Sequence, residues 1–181
     1  MKRVAIFCGA NVGNNPEYTE VAQALTRALV SKGIAVVNGG GKVGLMGVVA
    51  DEALRVGGEC IGVIPQKLMD KEVAHLGMTE LHLVPDMHTR KAMLQDLSDA
   101  FVALPGGIGT LEEIFEVFTW EQIGYHSKPC AFLNVAGYYD HLEAFMKHSV
   151  AEGFVSQAQL DKLFFGHSVQ ELVDWLLTER A

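Results

Sequence analysis

The residues AFVALPGGIGTLEEIFEVFTW, Ala100 to Trp120, decide the fold. Ala100–Leu104 is apolar throughout, as a strand buried on both faces must be. Pro105-Gly106-Gly107-Ile108-Gly109-Thr110 breaks the run. Leu111–Gly124 then carries Leu111, Ile114, Phe115 and Phe118 on one helical stripe, with Glu112, Glu113, Glu116 and Trp120 on the other side. Strand, glycine loop and amphipathic helix in that order make one step of an alternating α/β chain.

The same step recurs outward in both directions. Upstream, Val4–Cys8 is a strand, Asn15-Pro16 opens a helix with Val21, Leu25, Ala28 and Leu29 as its stripe, and Gly33 ends it. Ile34–Val37 is a strand, a helix runs to about Arg55, and Cys60–Ile64, Leu81–Val84 and the helix Met87–Leu97 follow. Pro65 to Glu80 shows no clean period. Downstream come the strand Cys130–Val135, a helix Tyr138–Ala151 with Leu142, Phe145 and Met146 inward, and a short strand Leu163–Phe165. Ser168-x-x-Glu171 reads as a capping box for a last helix through Leu177. Apolar strands alternating with amphipathic helices predict one doubly wound α/β domain over residues 1–181, with a mostly parallel, Rossmann-like sheet. In such sheets ligands gather at the carboxyl ends of the strands, where every glycine-rich loop of this chain falls.

Composition narrows the class of partner. A formal charge of −8 with no basic run argues against nucleic acid or a membrane surface. No apolar run approaches the length of a transmembrane helix. Cys8, Cys60 and Cys130 are odd in number and sit in or beside buried-looking strands, which reads as reduced thiols in a cytoplasm. The seven histidines show no ligand geometry, although His88 lies near the expected site.

Two loops could hold a ligand. Gly39-Gly40-Gly41-Lys42-Val43-Gly44 matches G-x-G-x-x-G, but the acid that a dinucleotide site needs roughly 20 residues on is Glu59, at the wrong end of its strand. These glycines serve equally well as a tight turn under close helix–sheet packing. Pro105–Thr110 is more specific: consecutive backbone N–H groups at a helix N-terminus, joined by the Thr110 hydroxyl, suit a phosphate monoester without any lysine. The acids beside it are then a puzzle. Thr110-x-x-Glu113 has the spacing of a capping box, which accounts for one acid well and for a cluster poorly. Upstream, in DMHTRKAML, Arg90 and Lys91 stand in the first turns of a helix, where the dipole disfavours cations. They pair with the glutamates on the surface or serve a site.

At these residues the chain resembles a known family. LPGGIGTLEE has the form P-G-G-x-G-T-x-x-E, and GGGKVGLMG and DMHTRKAM stand where the LONELY GUY-type cytokinin riboside 5'-monophosphate phosphoribohydrolases, a group often labelled lysine decarboxylases, have their other two motifs. The resemblance runs from FCGA to about KPCAFLNV. It implies hydrolysis of the N-glycosidic bond of nucleoside 5'-monophosphates, with AMP or N6-modified AMP as substrate and no cofactor, in a homodimer whose active sites lie near the interface. It implies Arg90 and Glu113 as the catalytic pair. Gly106, Gly107, Gly109 and Thr110 would hold phosphate, with Gly40, Gly41, Glu72, Lys91, Glu112 and Thr119 as further substrate contacts. The reaction would explain the acids: phosphate at one end of the ribose, and carboxylates at the other, where oxocarbenium charge develops. The competing reading is a non-catalytic nucleotide or cofactor carrier, which needs the glycine loops but no acid beside the ribose. The lysine-decarboxylase label finds no support in the residues, because Lys128 in HSKPC reads as a turn before a strand.

Overall fold

Apolar runs bounded by glycine turns become seven strands among the described residues, 1–69 and 74–178 of a computed structural model. In chain order the elements are β1 (Arg3–Phe7), α1 (Glu17–Ser31), β2 (Ala35–Asn38), α2 (Gly44–Arg55), β3 (Cys60–Pro65), α3 (Gln66–Met69), β4 (Glu80–Val84), α4 (Met87–Leu97) and β5 (Ala100–Ala103). They continue with α5 (Ile108–Gln122), β6 (Cys130–Leu133), a 3-10 turn (Val135–Gly137), α6 (Asp140–Ala151), α7 (Gln157–Leu160), β7 (Leu163–Gly166) and α8 (Val169–Thr178). The seven strands pair in parallel, in the order β4-β3-β2-β1-β5-β6-β7.

Helices cover both faces, which is why the central strands show no polar alternation. Val4 and Ile6 of β1 join one core with Leu25 and Leu29 of α1, Val49 of α2 and Leu172 of α8. Ala5 and Phe7 join the other with Leu94 of α4, Ile114 and Phe118 of α5 and Met146 of α6. Among the described residues no helix is long and apolar enough to cross a membrane.

Three sequence expectations are corrected. α5 starts at Ile108, not Leu111, so its cap is Gly107 and Thr110 already lies inside the first turn. Phe145 points outward at 60% exposure, leaving Met146 as the buried residue of α6. Ser168 accepts from the Glu171 N–H at 3.2 Å, but the Glu171 carboxylate turns to the His167 N–H at 2.7 Å, so only half of that capping box forms. A complete box closes instead between Ser156 and Gln159 at the start of α7.

Candidate active site

From β1 the chain winds outward through β2, β3 and β4, then returns to the other side of β1 as β5. The loops that follow β1 and β5 therefore diverge, and a crevice opens between them at the carboxyl edge of the sheet. A cleft of about 400 Å³ occupies that position, walled by Cys8–Gly13 and by Pro105, Gly106, Gly107, Gly109 and Thr110. The Gly9 N–H donates to the Pro105 carbonyl at 3.0 Å and ties the two loops together.

α5 opens onto this cleft with Gly107 as its cap, and no side-chain cap hydrogen bond forms there among the described residues. Gly107, Gly109 and Thr110 at this helix end line the cleft, and free N–H groups with a helix dipole favour an anion. Glycine at position 106 is a packing requirement, because a Cβ there would collide with the Thr110 hydroxyl and the Gly9 nitrogen. Gly107 and Gly109 differ: among the described residues, a Cβ at either meets nothing within 4 Å beyond its adjoining backbone. With α5 beginning at Ile108, the expected Thr110–Glu113 capping box does not exist. That removes the capping account of Glu113.

Glu113 instead faces Arg90, with Nη1 3.3 Å from Oε1 and both side chains largely buried, at 7% and 15% exposure. The capping of α4 by Asp86, which accepts from the Thr89 N–H at 2.8 Å, fixes where Arg90 emerges. Its guanidinium is then held at fixed angles: Nε donates to the Val63 carbonyl at 3.2 Å and Nη2 to the Gly39 carbonyl at 3.4 Å. Val63 lies in the carboxyl half of β3 and Gly39 directly follows β2. The first glycine loop thus makes room for Arg90, as a Cβ on Gly39 would overlap the guanidinium.

The remaining expected residues lie around this pair. Lys91 Nζ sits 2.6 Å from Glu112 Oε1 and 2.9 Å from Glu116 Oε1, and those hydrogen bonds raise its pKa. One lysine therefore neutralises two of the three acids, while Arg90 faces the third. Lys91 and Glu112 stand beside the cleft and do not line it. Thr119 is exposed two turns further along α5, its hydroxyl bonded back to the Phe115 carbonyl at 2.6 Å. Gly40 and Gly41 are buried under the rim, where the Gly40 carbonyl accepts from the His75 N–H at 2.9 Å. Glu72 falls outside the described residues. His88 is exposed and does not line the cleft.

Sequence reasoning missed the β1–α1 loop, Tyr18, Leu45, Met46 and Tyr138, all in the cleft wall. The loop was readable in principle, because GANVGNN follows a buried strand at the ligand-binding edge. Burial first, and Glu113 second, push the Cys8 thiol pKa well up, which disfavours the thiolate. No lysine lines the cleft among the described residues. Lys128 lies by the start of β6, at the sheet's other edge, where Nζ donates to the Gln95 carbonyl at 2.6 Å and burial lowers its pKa. No group of three or more metal-ligating side chains gathers among the described residues.

Residues 46–176 match a family model described as "Possible lysine decarboxylase". The chain is 48% identical over 158 residues to a protein of Rhodococcoides fascians named cytokinin riboside 5'-monophosphate phosphoribohydrolase, covering 87% of this chain and 80% of that protein. It is 46% identical over 172 residues to the Arabidopsis thaliana protein of the same name designated LOG1, covering 95% and 81%. Among solved structures, a molybdenum cofactor carrier protein from Chlamydomonas reinhardtii superposes with a TM-score of 0.75 at 18% identity, over 98% of this chain and 96% of that one. A molybdenum cofactor binding protein from Rippkaea orientalis gives 0.76 at 18% identity, over 99% and 98%. At that identity the likeness extends to the fold alone.

Proposed function

The chain belongs to the family of the cytokinin riboside 5'-monophosphate phosphoribohydrolases, and from that premise we propose that it hydrolyses the N-glycosidic bond of nucleoside 5'-monophosphates, AMP or N6-modified AMP of the cytokinin riboside type, releasing free base and ribose 5-phosphate. The observation that carries the reading is the layout of α5. Its open N-terminus and the Arg90-held Glu113 line one cleft, separated by roughly 8 Å along the helix axis. A ribose with its 5'-arm spans such a gap.

In this reading the N–H groups around Gly106, Gly107 and Gly109, with the Thr110 hydroxyl, take the phosphate. Glycine at 107 and 109, which packing does not demand, lets phosphate oxygens approach the backbone closely. The C1'–N bond breaks with its electron pair leaving on the base, and water forms the new bond to C1'. Glu113 opposes the oxocarbenium charge and accepts water's proton, which balances the proton that the departing base takes up. Arg90, locked by two backbone carbonyls, holds Glu113 in place and contributes positive charge on the phosphate side. Gly40 and Gly41 build the turn that presents Gly39 to Arg90. Glu72, Lys91, Glu112 and Thr119 act as further substrate contacts, and a homodimer with its interface beside the cleft would enclose the exposed Thr119. Three buried thiols accord with a cytoplasmic setting.

The test is release of adenine from AMP, run beside adenosine. Binding energy from the phosphate should appear in the rate, so AMP is cleaved far faster. Equal rates refute the phosphate cradle, and AMP binding without any adenine release favours a carrier.

A further inference from the structure

Three successive carbonyls of the loop after β5 are each held by a different donor. Leu104 O accepts from the Tyr139 hydroxyl at 2.7 Å, Pro105 O from the Gly9 N–H at 3.0 Å and Gly106 O from the Tyr138 hydroxyl at 2.6 Å. In a planar trans peptide the C=O and the following N–H point in opposite directions, and no peptide bond here is cis. Fixing the Gly106 carbonyl therefore fixes the Gly107 N–H, the amide at the mouth of α5.

We propose that Tyr138 is a positioning residue that aims the Gly107 amide at the substrate phosphate, a role that rests on reading this loop as the phosphate site. The chain invests local structure in placing it. After β6, Ala136 and Gly137 both adopt left-handed backbone, at φ 51° and 71°. Alanine in that region is costly unless its surroundings enforce it. Asn134 enforces it here: its Oδ1 accepts from the Tyr139 N–H at 2.7 Å and its Nδ2 donates to Asp140 at 2.7 Å. The Tyr138 ring is edge-on to Tyr18 at 5.6 Å and to Tyr139 at 4.9 Å. Its hydroxyl thereby reaches Gly106 from the cleft wall, where Tyr138 is 42% exposed.

Tyr139 supplies the control. Its hydroxyl fixes the Leu104 carbonyl, but the nitrogen of that peptide belongs to Pro105 and carries no hydrogen. Losing that bond redirects no amide. It strands a buried carbonyl instead, since Leu104 and Tyr139 are both buried.

The experiment measures ribose 5-phosphate affinity by calorimetry and Tm by thermal melt on wild type, Tyr138→Phe and Tyr139→Phe. Tyr138→Phe keeps the ring contacts and should weaken ribose 5-phosphate about tenfold, the scale of one hydrogen bond to a charged group. Its Tm should move by only about a degree, because water can reach the Gly106 carbonyl. Tyr139→Phe should invert the pattern, with Tm lower by several degrees and affinity within about twofold. Tyr138→Phe binding as tightly as wild type overturns the proposal, as does equal loss of affinity in both variants or a wild type that does not bind ribose 5-phosphate. Adenine release from AMP is followed in parallel. A wild type that shows this binding pattern but releases no adenine refutes hydrolysis and leaves the positioning role standing.

Discussion

Glu113 is the residue whose meaning the structure changes most. Its spacing from Thr110 has the form of a capping box, yet α5 begins early enough to put Thr110 inside the helix, and Glu113 turns to Arg90. Glu113→Gln therefore removes no cap, and the amide oxygen can still accept from Arg90. Tm should change by no more than a few degrees. Turnover of AMP should fall on the order of 100- to 1000-fold, the usual effect of deleting a preorganised electrostatic stabiliser. Thermal melts and adenine release on one preparation test both halves, and a variant that melts early but hydrolyses normally makes Glu113 structural. Arg90→Lys tests the other partner. One ammonium cannot serve Val63 O, Gly39 O and Glu113 at the angles the guanidinium does. The folded variant should lose most of its activity; near-wild-type turnover would reduce Arg90 to a structural ion-pair partner.

At the scale of elements, the glycine loop after β2 acts on the site without lining it. Gly39 gives up its Cβ to the Arg90 guanidinium, so Gly39→Ala should displace that side chain and reproduce much of the Arg90→Lys loss. Retained activity with an unchanged fold would detach this loop from catalysis. A second link between elements is electrostatic. Glu52 of α2 is buried, meeting Arg55 of its own helix at 2.7 Å and Arg27 of α1 at 2.6 Å. The Arg55 hydrogen bond, with Arg27 assisting, lowers its pKa from 4.5 to about 2. A depressed carboxylate stabilises above its unfolded pKa and ceases to as pH falls through the folded one. The Tm difference between wild type and Glu52→Gln should thus be full at pH 7 and vanish between about pH 4.5 and 2. Because both arginines are half exposed, it should amount to only about 1 kcal/mol. A difference that persists at pH 2 would mean packing, not charge.

The legibility of the elements follows from what specified them. Strands buried on both faces announce themselves as unbroken apolar runs, so β1, β2, β3, β5 and β6 lie within a few residues of their expected positions. The start of α5 does not, because Gly107 and Thr110 are both acceptable caps and tertiary packing of Thr110 against Gly106 decides between them. Phe145 fits the period of α6 and still points outward, since a 3.6-residue repeat does not fix how wide the buried stripe is. A pairing of the basic residues of α4 with the glutamates of α5 was legible from residue type, and Arg90 meets Glu113 at 3.3 Å. Gly9, Ala10 and Tyr138 were not legible, because they build the cleft through main-chain atoms and one hydroxyl that a motif does not record.

At the scale of the whole molecule the question is whether one sheet means one cooperative unit, and the three cysteines are placed to answer it. Cys60 opens β3 on one side of the switch point, Cys130 opens β6 on the other, and Cys8 follows β1 between them. All three are buried. Burial first, aided by the nearby Asp51, raises Cys60 from 9.0 to about 12, and burial likewise raises Cys130 and Cys8. In native protein a thiol reagent at pH 8 should therefore label none of them, neither by access nor by ionisation. Through a denaturant series, a single domain should release all three at one midpoint, coincident with loss of helix. If Cys130 becomes reactive at lower denaturant than Cys60, the β5–β7 half unfolds separately and the single-domain reading fails. The pH dependence follows in sign. Groups whose folded pKa is raised stabilise below their unfolded value, so the thiol contribution declines as pH climbs above 9 and the unfolded thiols ionise alone. Each thiol should then remove about 1.4 kcal/mol of stability per pH unit, and the shared midpoint should slide to lower denaturant together for all three.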